Sequence, residues 1–279
     1  MLHNNKNAHF AALHKRPGTF VIPNPWDVGS AKMLTTLGAE ALATTSAGYS
    51  FAKGVNSSVG TLTRTEVLSH AKEIIDATHL PVSADLENGY GDSPEEVAKT
   101  IELAIEIGLA GCTIEDATGD IDNPLYDKSL AIERITAAVE TARRLDPNFV
   151  LTARAENYLF GRNDLDDTLE RLLGYEAVGA HVLYAPGLPD VETIQRVCKT
   201  VNTPINVVAG IGLAGVTFGQ LQTAGVKRIS LGSALSRVAY GAMISTFNKI
   251  LQTGSFDDFS NAASFSALDS LNRRADQFI

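Results

Sequence analysis

Little cysteine, little positive charge and no long apolar run mark this chain, and each shortage excludes something. Its two cysteines, Cys112 and Cys198, suggest no disulfide framework. They also lack the spacing of zinc ligands, and they fit a reducing, cytoplasmic setting. Lys and Arg number 23 against 32 Asp and Glu, a formal net charge of -9 over 279 residues. That balance argues against nucleic acid or an anionic membrane surface as a partner. No apolar run reaches the roughly 18 residues of a membrane span. The segment from Met1 to Arg16 is polar and lacks the apolar centre of a signal peptide. The glycine fingerprint that opens a doubly wound, dinucleotide-binding sheet is missing after the first strand. A small molecule is left as the partner. An anionic one requires local positive groups or a metal.

What is present is alternation. Hydrophobic residues make up 44% of the chain, enough for one large core. Eight short apolar or β-branched runs read as strands: Thr19–Pro23, Ala41–Thr45, Val82–Asp85, Gly111–Glu115, Phe149–Arg154, His181–Ala185, Ile205–Val208 and Arg228–Leu231. Between them, stretches such as Thr65–Thr78, Pro94–Ile107, Leu130–Arg144, Leu165–Val178 and Val191–Val201 carry apolar residues at the helical period. Ser93-Pro94-Glu95-Glu96 is a helix start, with Ser as N-cap and Pro at the first helical position. Gly38, Gly108, Gly179 and Gly225 stand where helices end before strands. Strict alternation implies a parallel sheet, and eight units imply a (β/α)8 TIM barrel spanning 1–279 as a single domain. Residues 252–279 form a C-terminal helical extension. Phe256, Phe259, Phe265, Leu268 and Leu271 make it too apolar for a solvated end, so it packs on this barrel or on a neighbouring subunit.

Barrel sites form at the C-terminal ends of strands. Val82-Ser83-Ala84-Asp85-Leu86-Glu87-Asn88-Gly89-Tyr90-Gly91 places two carboxylates at i and i+2 at a strand end, on one face if the strand continues. Glu115 follows strand 4, and Arg154 and Glu156 follow strand 5. Asn24, Trp26 and Asp27 follow strand 1, Ser46-Ala47-Gly48-Tyr49 follow strand 2, and Asn206 stands at strand 7. Asp85, Glu87 and Glu115 are candidate metal ligands for Mg2+, with Mn2+ as an alternative, because hard cations take carboxylate and water oxygens. Arg154 can take a carboxylate in two parallel hydrogen bonds or serve as a structural partner of Glu115 or Glu156. Ser46, with the amides of Ala47 and Gly48, can hold a second anionic oxygen or cap a turn. Tyr49 and Tyr184 either reach the pocket or pack in the core, Trp26 packs, and His181 is structural. A carboxylate beside a carbonyl fits this set, with the metal as Lewis acid for the enolate that forms when the neighbouring bond breaks. Gly210-Ile211-Gly212 and Gly232-Ser233 support a rival, a phosphate-ester barrel enzyme.

Asn24-Pro25-Trp26-Asp27, Thr45-Ser46-Ala47-Gly48, Asp85-Leu86-Glu87-Asn88-Gly89-Tyr90-Gly91, Ile114-Glu115-Asp116 and Ala153-Arg154-Ala155-Glu156 together resemble the isocitrate lyase/phosphoenolpyruvate mutase superfamily. The resemblance runs from about Thr19 to the eighth helix. It implies magnesium-dependent cleavage or formation of C–C or P–C bonds beside an α-keto or enolpyruvate carboxylate. It implies Asp85 as direct metal ligand, with Glu87 and Glu115 holding the ion mostly through waters. Ser46, Ala47, Gly48, Asp85, Asn206 and Arg154 are then substrate-binding, and Arg154, Glu115 and Tyr49 are catalytic candidates. It further implies a homotetramer, a dimer of dimers whose neighbours exchange the C-terminal helix.

The chain departs from that pattern in three places. The loop Ala117-Thr118-Gly119-Asp120-Ile121-Asp122-Asn123-Pro124 has none of the Cys, Lys or His that the isocitrate- and methylisocitrate-cleaving branch carries there. Asn123 matches an asparagine of the mutase branch, but that branch's lysine is missing. An aspartate usual after strand 2 falls at Ser57 and Ser58, and strand 6 ends in Ala185-Pro186-Gly187 without the cleavage branch's glutamate. The expected activity is a C–C lyase acting on an α-keto acid or related dicarboxylate through a metal-stabilised enolate. A P–C bond mutase or a non-catalytic oxo-acid-binding relative is the alternative. Tyr49, Glu156 and Asn123 are the candidates for proton transfer.

Overall fold

Eight parallel strands form one sheet in the computed structural model, which describes residues 2–210 and 213–277. They are β1 (Phe20–Ile22), β2 (Leu42–Ala43), β3 (Val82–Asp85), β4 (Gly111–Glu115), β5 (Val150–Arg154), β6 (Val182–Tyr184), β7 (Ile205–Val208) and β8 (Arg228–Ser230). Each falls within one of the eight runs read from the sequence. The spatial order is β1-β8-β7-β6-β5-β4-β3-β2. Ala43 donates its N–H to the Pro23 carbonyl at 3.1 Å, so a single backbone bond draws the last edge together and nearly closes the barrel.

The helices are α1 (Leu2–Lys15), α2 (Val28–Thr36), α3 (Ser46–Lys53), α4 (Arg64–Asp76), α5 (Pro94–Glu106), α6 (Lys128–Leu145), α7 (Leu165–Ala177), α8 (Val191–Thr200), α9 (Phe218–Ala224), α10 (Ala234–Thr253) and α11 (Phe265–Asp276). Short 3-10 turns run over Asn157–Phe160 and Asp257–Asn261. The helix starts follow the cap chemistry: Ser93 accepts from the Glu96 amide, and Thr63 and Glu66 form a reciprocal capping box. Gly38, Gly108, Gly179 and Gly225 all have positive φ, as helix-ending glycines require.

The polar N-terminal segment has a structural role. α1 covers the N-terminal end of the barrel, where Phe10 and Leu13 are buried with Phe20, Ala110, Val150 and Val182, all near strand starts. Gly111 lies beneath this plug. A Cβ there would stand 2.4 Å from the Val150 carbonyl oxygen and 2.9 Å from the Phe10 ring. The remaining core fills the space between strands and outer helices.

At the other extreme of the chain, α11 packs on α2 of its own barrel. Lys32 pairs with Asp276 at 2.6 Å, and Thr36 Oγ1 donates to the Leu271 carbonyl at 3.1 Å. α10, by contrast, buries only Ser236 and leaves Val238, Met243, Ile244, Phe247 and Leu251 exposed. Among the described residues no helix is long and apolar enough to cross a membrane.

Candidate active site at the C-terminal strand ends

A cavity of about 670 Å³ opens at the C-terminal ends of the strands. Asp85, Glu87, Glu115, Arg154 and Glu156 line it together with Ser46, Ala47 and Asn206. Strand register explains the gathering. Asp85 lies beside Thr113, and Glu115 lies beside Arg154, at the ends of three neighbouring strands.

Asp85 is the best-anchored carboxylate. Its Oδ2 accepts from the Ser46 hydroxyl at 2.7 Å and the Ser46 amide at 3.3 Å, and its Oδ1 accepts from Thr113 Oγ1 at 3.2 Å. The Ser46-Ala47-Gly48 stretch is the first turn of α3, with Thr45 as its N-cap. The positive end of that helix therefore faces Asp85. The Gly48 amide is already held by Thr45 Oγ1 at 3.2 Å, so it is not one of the donors facing the cavity. Gly48 serves packing instead. A Cβ there would stand 2.5 Å from Thr45 Cγ2 and 3.2 Å from Ser236 Oγ.

Glu87 reaches the cavity by a turn, not by the strand pleat expected from its i, i+2 spacing. β3 ends at Asp85, and Glu87 has φ 47, a left-handed conformation rare for a side-chain-bearing residue. Three contacts fix the turn. The Glu115 amide donates to the Glu87 carbonyl at 2.9 Å, and the Gly60 amide donates to Glu87 Oε2 at 2.8 Å. The fully buried Arg134 donates to the carbonyls of Asn88, Gly91 and Asp92, with the Gly91 bond at 2.6 Å. Burial pushes the Glu87 carboxyl up to about 7; the Gly60 bond opposes that shift, and nearby Asp85 adds to it.

Among the described residues, Arg154 is the cation that these acids enclose. It pairs with Glu115 at 3.1 Å and bonds Glu156 through Nε, while Asp85 is 3.7 Å away. Its guanidinium lies 5.1 Å from the centre of the Tyr184 ring. Burial works against its charge, yet Glu115 and Glu156 hold it above its ordinary range, so it stays a cation. Burial drives Glu115 the other way, well above the carboxylate range, with Arg154 opposing and Glu156, Asp85 and Glu87 reinforcing. Asp116 supports the site from behind. It accepts from Arg171 at 2.9 Å, Tyr175 at 2.8 Å and the Glu156 amide at 2.8 Å.

Asp85, Glu115 and Glu156 thus surround the Arg154 guanidinium, with Glu87 beside them on the cavity wall. Among the described residues, no three carboxylate, histidine or cysteine side chains converge tightly enough to ligate one ion directly.

Other expected residues lie elsewhere. Tyr49 is not on the cavity wall. Its ring stacks on His70 at 3.8 Å, and its hydroxyl therefore has no part in the acid cluster. Asn123 stands on the loop after β4, its carbonyl accepting from Thr118 Oγ1, and does not line the cavity. Asn206 does line it, but its amide already bonds Ser230 at 3.1 Å and Arg228 at 2.8 Å. His181 is structural, as expected, accepting from the Leu151 amide at 3.1 Å. In the phosphate-loop candidate, Ile211 and Gly212 lie outside the described residues. The amides of Leu231 and Gly232 both bond Asn24 Oδ1 at 2.9 Å, which leaves them unavailable to an anion. Tyr184, expected either to reach the pocket or to pack in the core, lines the cavity with its ring beside Arg154. Sequence reading missed Arg134 as the turn's clamp and the apolar rim of Leu159 and Phe160. Only the last had a signal, two large apolar residues directly after a site strand.

The phosphoenolpyruvate phosphomutase family model matches residues 10–251. An uncharacterised protein of Mycobacterium tuberculosis (strain CDC 1551 / Oshkosh) is 31% identical over 80% of this chain and 81% of its own. The 2,3-dimethylmalate lyase of Eubacterium barkeri is 28% identical over 80% of this chain and 78% of its own. A solved structure from Burkholderia cenocepacia J2315, provisionally described as a lyase/mutase, superposes with a TM-score of 0.93 at 48% identity, covering 96% of both chains. With its barrel, its strand-end acids and these matches, the chain belongs to the phosphoenolpyruvate phosphomutase family, within the isocitrate lyase/phosphoenolpyruvate mutase superfamily.

Proposed function

We propose that the protein is a divalent-metal-dependent lyase that cleaves a C–C bond next to a 2-oxo carboxylate. The observation that carries this reading is the surplus of buried carboxylate around Arg154 at the strand ends. Relatives at 26–28% identity are named 2,3-dimethylmalate lyase, 2-methylisocitrate lyase and oxaloacetate decarboxylase. They agree in reaction type and differ in substrate.

Magnesium, or manganese in its place, would be held directly by Asp85 and through water by Glu87 and Glu115. When bound, it supplies Lewis acidity to the substrate carboxylate and the adjacent oxygen. Ser46 orients Asp85, and the α3 N-terminus with Ala47 faces the substrate carboxylate. Arg154 turns its guanidinium toward the oxygens on which negative charge develops. The proton required at the new carbanion has Glu156 and Tyr184 as its nearest sources, since Tyr49 is turned away.

A homo-oligomer, a tetramer by resemblance, would cover the exposed apolar face of α10. Beside that face, Phe51, Arg237, Tyr240, Gly241 and Ile244 line a second groove. Free Cys112 and Cys198 suit the cytoplasm.

Turnover separates a lyase from a binding relative. Purified protein incubated with 4-hydroxy-2-oxo acids in magnesium should release pyruvate above the uncatalysed rate. Asp85→Ala should remove that release. Binding without any product from these acids would assign the chain to the non-catalytic relatives.

A further inference from the structure

The apolar lining of the cavity carries information about the substrate that the acid cluster does not. The mouth of the cavity is formed by Val59, Ile121, Pro124, Leu159 and Phe160. Ile121 is 92% exposed and Leu159 and Phe160 are each 41% exposed, so three large apolar side chains stand in water around one opening. Apolar groups clustered at a site mouth are surfaces that a ligand covers.

The charge on the wall points the same way. The acidic groups that line the cavity are Asp85, Glu87, Glu115, Glu156 and, at the rim, Asp120. The cations that line it are Arg154 and Arg228. Arg154 is enclosed by Glu115 and Glu156. Arg228 is only 3% exposed and lies deep in the barrel, at the first residue of β8. Each of its three nitrogens already has a partner: Asn206 Oδ1 at 2.8 Å, Thr152 Oγ1 at 2.9 Å and His14 Nε2 at 3.3 Å. The Leu231 and Gly232 amides are taken by Asn24. Among the described residues no lysine lines the cavity, and no free guanidinium faces its mouth. A second carboxylate placed toward the mouth would lose water, gain no cation and meet Asp120.

We infer that the substrate is a 2-oxo acid with one carboxylate and an apolar chain or ring at its far end, seated against Ile121, Leu159 and Phe160. This rests on the oxo-acid reading of the acid cluster and narrows it away from dicarboxylates. The three side chains are specificity-determining residues.

The test is equilibrium binding by calorimetry in saturating magnesium. The probes are pyruvate, 2-oxobutanoate, 4-methyl-2-oxopentanoate and phenylpyruvate, set against oxaloacetate and 2-oxoglutarate. Affinity should rise about threefold per methylene added along the apolar series, and 4-methyl-2-oxopentanoate should bind at least tenfold more tightly than 2-oxoglutarate. Ile121→Lys, at a position that contributes nothing to the core, should lower that ratio about tenfold or more. Phe160→Ser should lower it too, whereas general damage to the fold would weaken both probes alike. Equal or tighter binding of 2-oxoglutarate by the wild-type protein, with pyruvate bound, overturns the inference and leaves the oxo-acid site standing. Failure of pyruvate and of every other probe overturns both.

Discussion

Arg154 shows why a single residue here resists a single label. The sequence allowed it to be either a substrate-binding fork or a structural partner of Glu115 and Glu156. In the folded chain it contacts both acids while lying on the wall of the cavity. Its planar fork is what permits both at once, and lysine cannot reproduce that geometry. Arg154→Lys should therefore weaken oxalate binding in magnesium roughly 10- to 100-fold, the range for lost hydrogen bonds to a charged group. Titration calorimetry reads this directly, and an unchanged affinity would assign Arg154 to structure alone. Gly48 makes the opposite point. The sequence offers it as an anion donor, but its amide is capped by Thr45 Oγ1, and its bare Cα lets α3 meet Ser236 and Trp26. Gly48→Ala should cost about 1–3 kcal/mol of stability, the usual range for overpacking, measured by urea unfolding. Glu87 could not be placed from spacing, because its left-handed turn depends on Arg134, a residue 47 positions later in the chain, and on an amide from Gly60.

At the scale of elements, the strands were legible because each is a short apolar run ended by turn chemistry. Every candidate strand contains the observed one: β3, β4 and β7 have the same bounds, β2 keeps two of its five residues, and the others lose a residue or two at the ends. α5 was equally legible, since Ser93 and Pro94 mark its start locally. Two helices were not. Among its described residues, α1 has Phe10 and Leu13 as buried apolar anchors in a largely polar stretch, and its role comes from tertiary position beneath the barrel. α3 carries no local mark of its own, because its cap, Thr45, belongs to the preceding strand run. α10 raises a different question. Its exposed stripe of Val238, Met243, Ile244, Phe247 and Leu251 is larger than a lone helix needs, which is the signature of a covered face. If α10 is the interface proposed here, Phe247→Glu should shift the protein to a smaller species in light scattering while leaving its far-ultraviolet circular dichroism unchanged. A wild-type monomer at micromolar concentration would contradict that role.

Across the whole molecule, the two ends of the barrel do different work. The C-terminal end concentrates uncompensated carboxylate, and the N-terminal end is sealed by α1. His14 is the hinge of that seal. Its Nδ1 donates to the Phe10 carbonyl at 2.8 Å, so its Nε2 is the acceptor for Arg228 at 3.3 Å, and the ring is neutral. Burial, with Arg228 next in effect, lowers its pKa from 6.5 to about 3. The unfolded chain therefore takes up this proton first. Stability is complete above about pH 6.5 and falls as pH drops toward 3, by about 1.4 kcal/mol per unit from this residue. Between pH 7 and pH 5 the loss from His14 should be about 2 kcal/mol. His14→Gln should remove that part of the dependence in urea unfolding at the two pH values, whereas an identical slope in both proteins would show that His14 is not buried neutral.

The central claim is that the strand-end acids bind a divalent ion and, with it, an oxo acid. Thermal unfolding of the wild-type protein and of Asp85→Ala, with oxalate alone, magnesium alone and both together, tests it most directly. The account predicts a rise in midpoint for the wild type that requires both, corresponding to about 2.7 kcal/mol at a hundredfold excess over the dissociation constant. It also predicts no such rise in Asp85→Ala. A shift by oxalate that ignores magnesium, or that survives loss of Asp85, would contradict it.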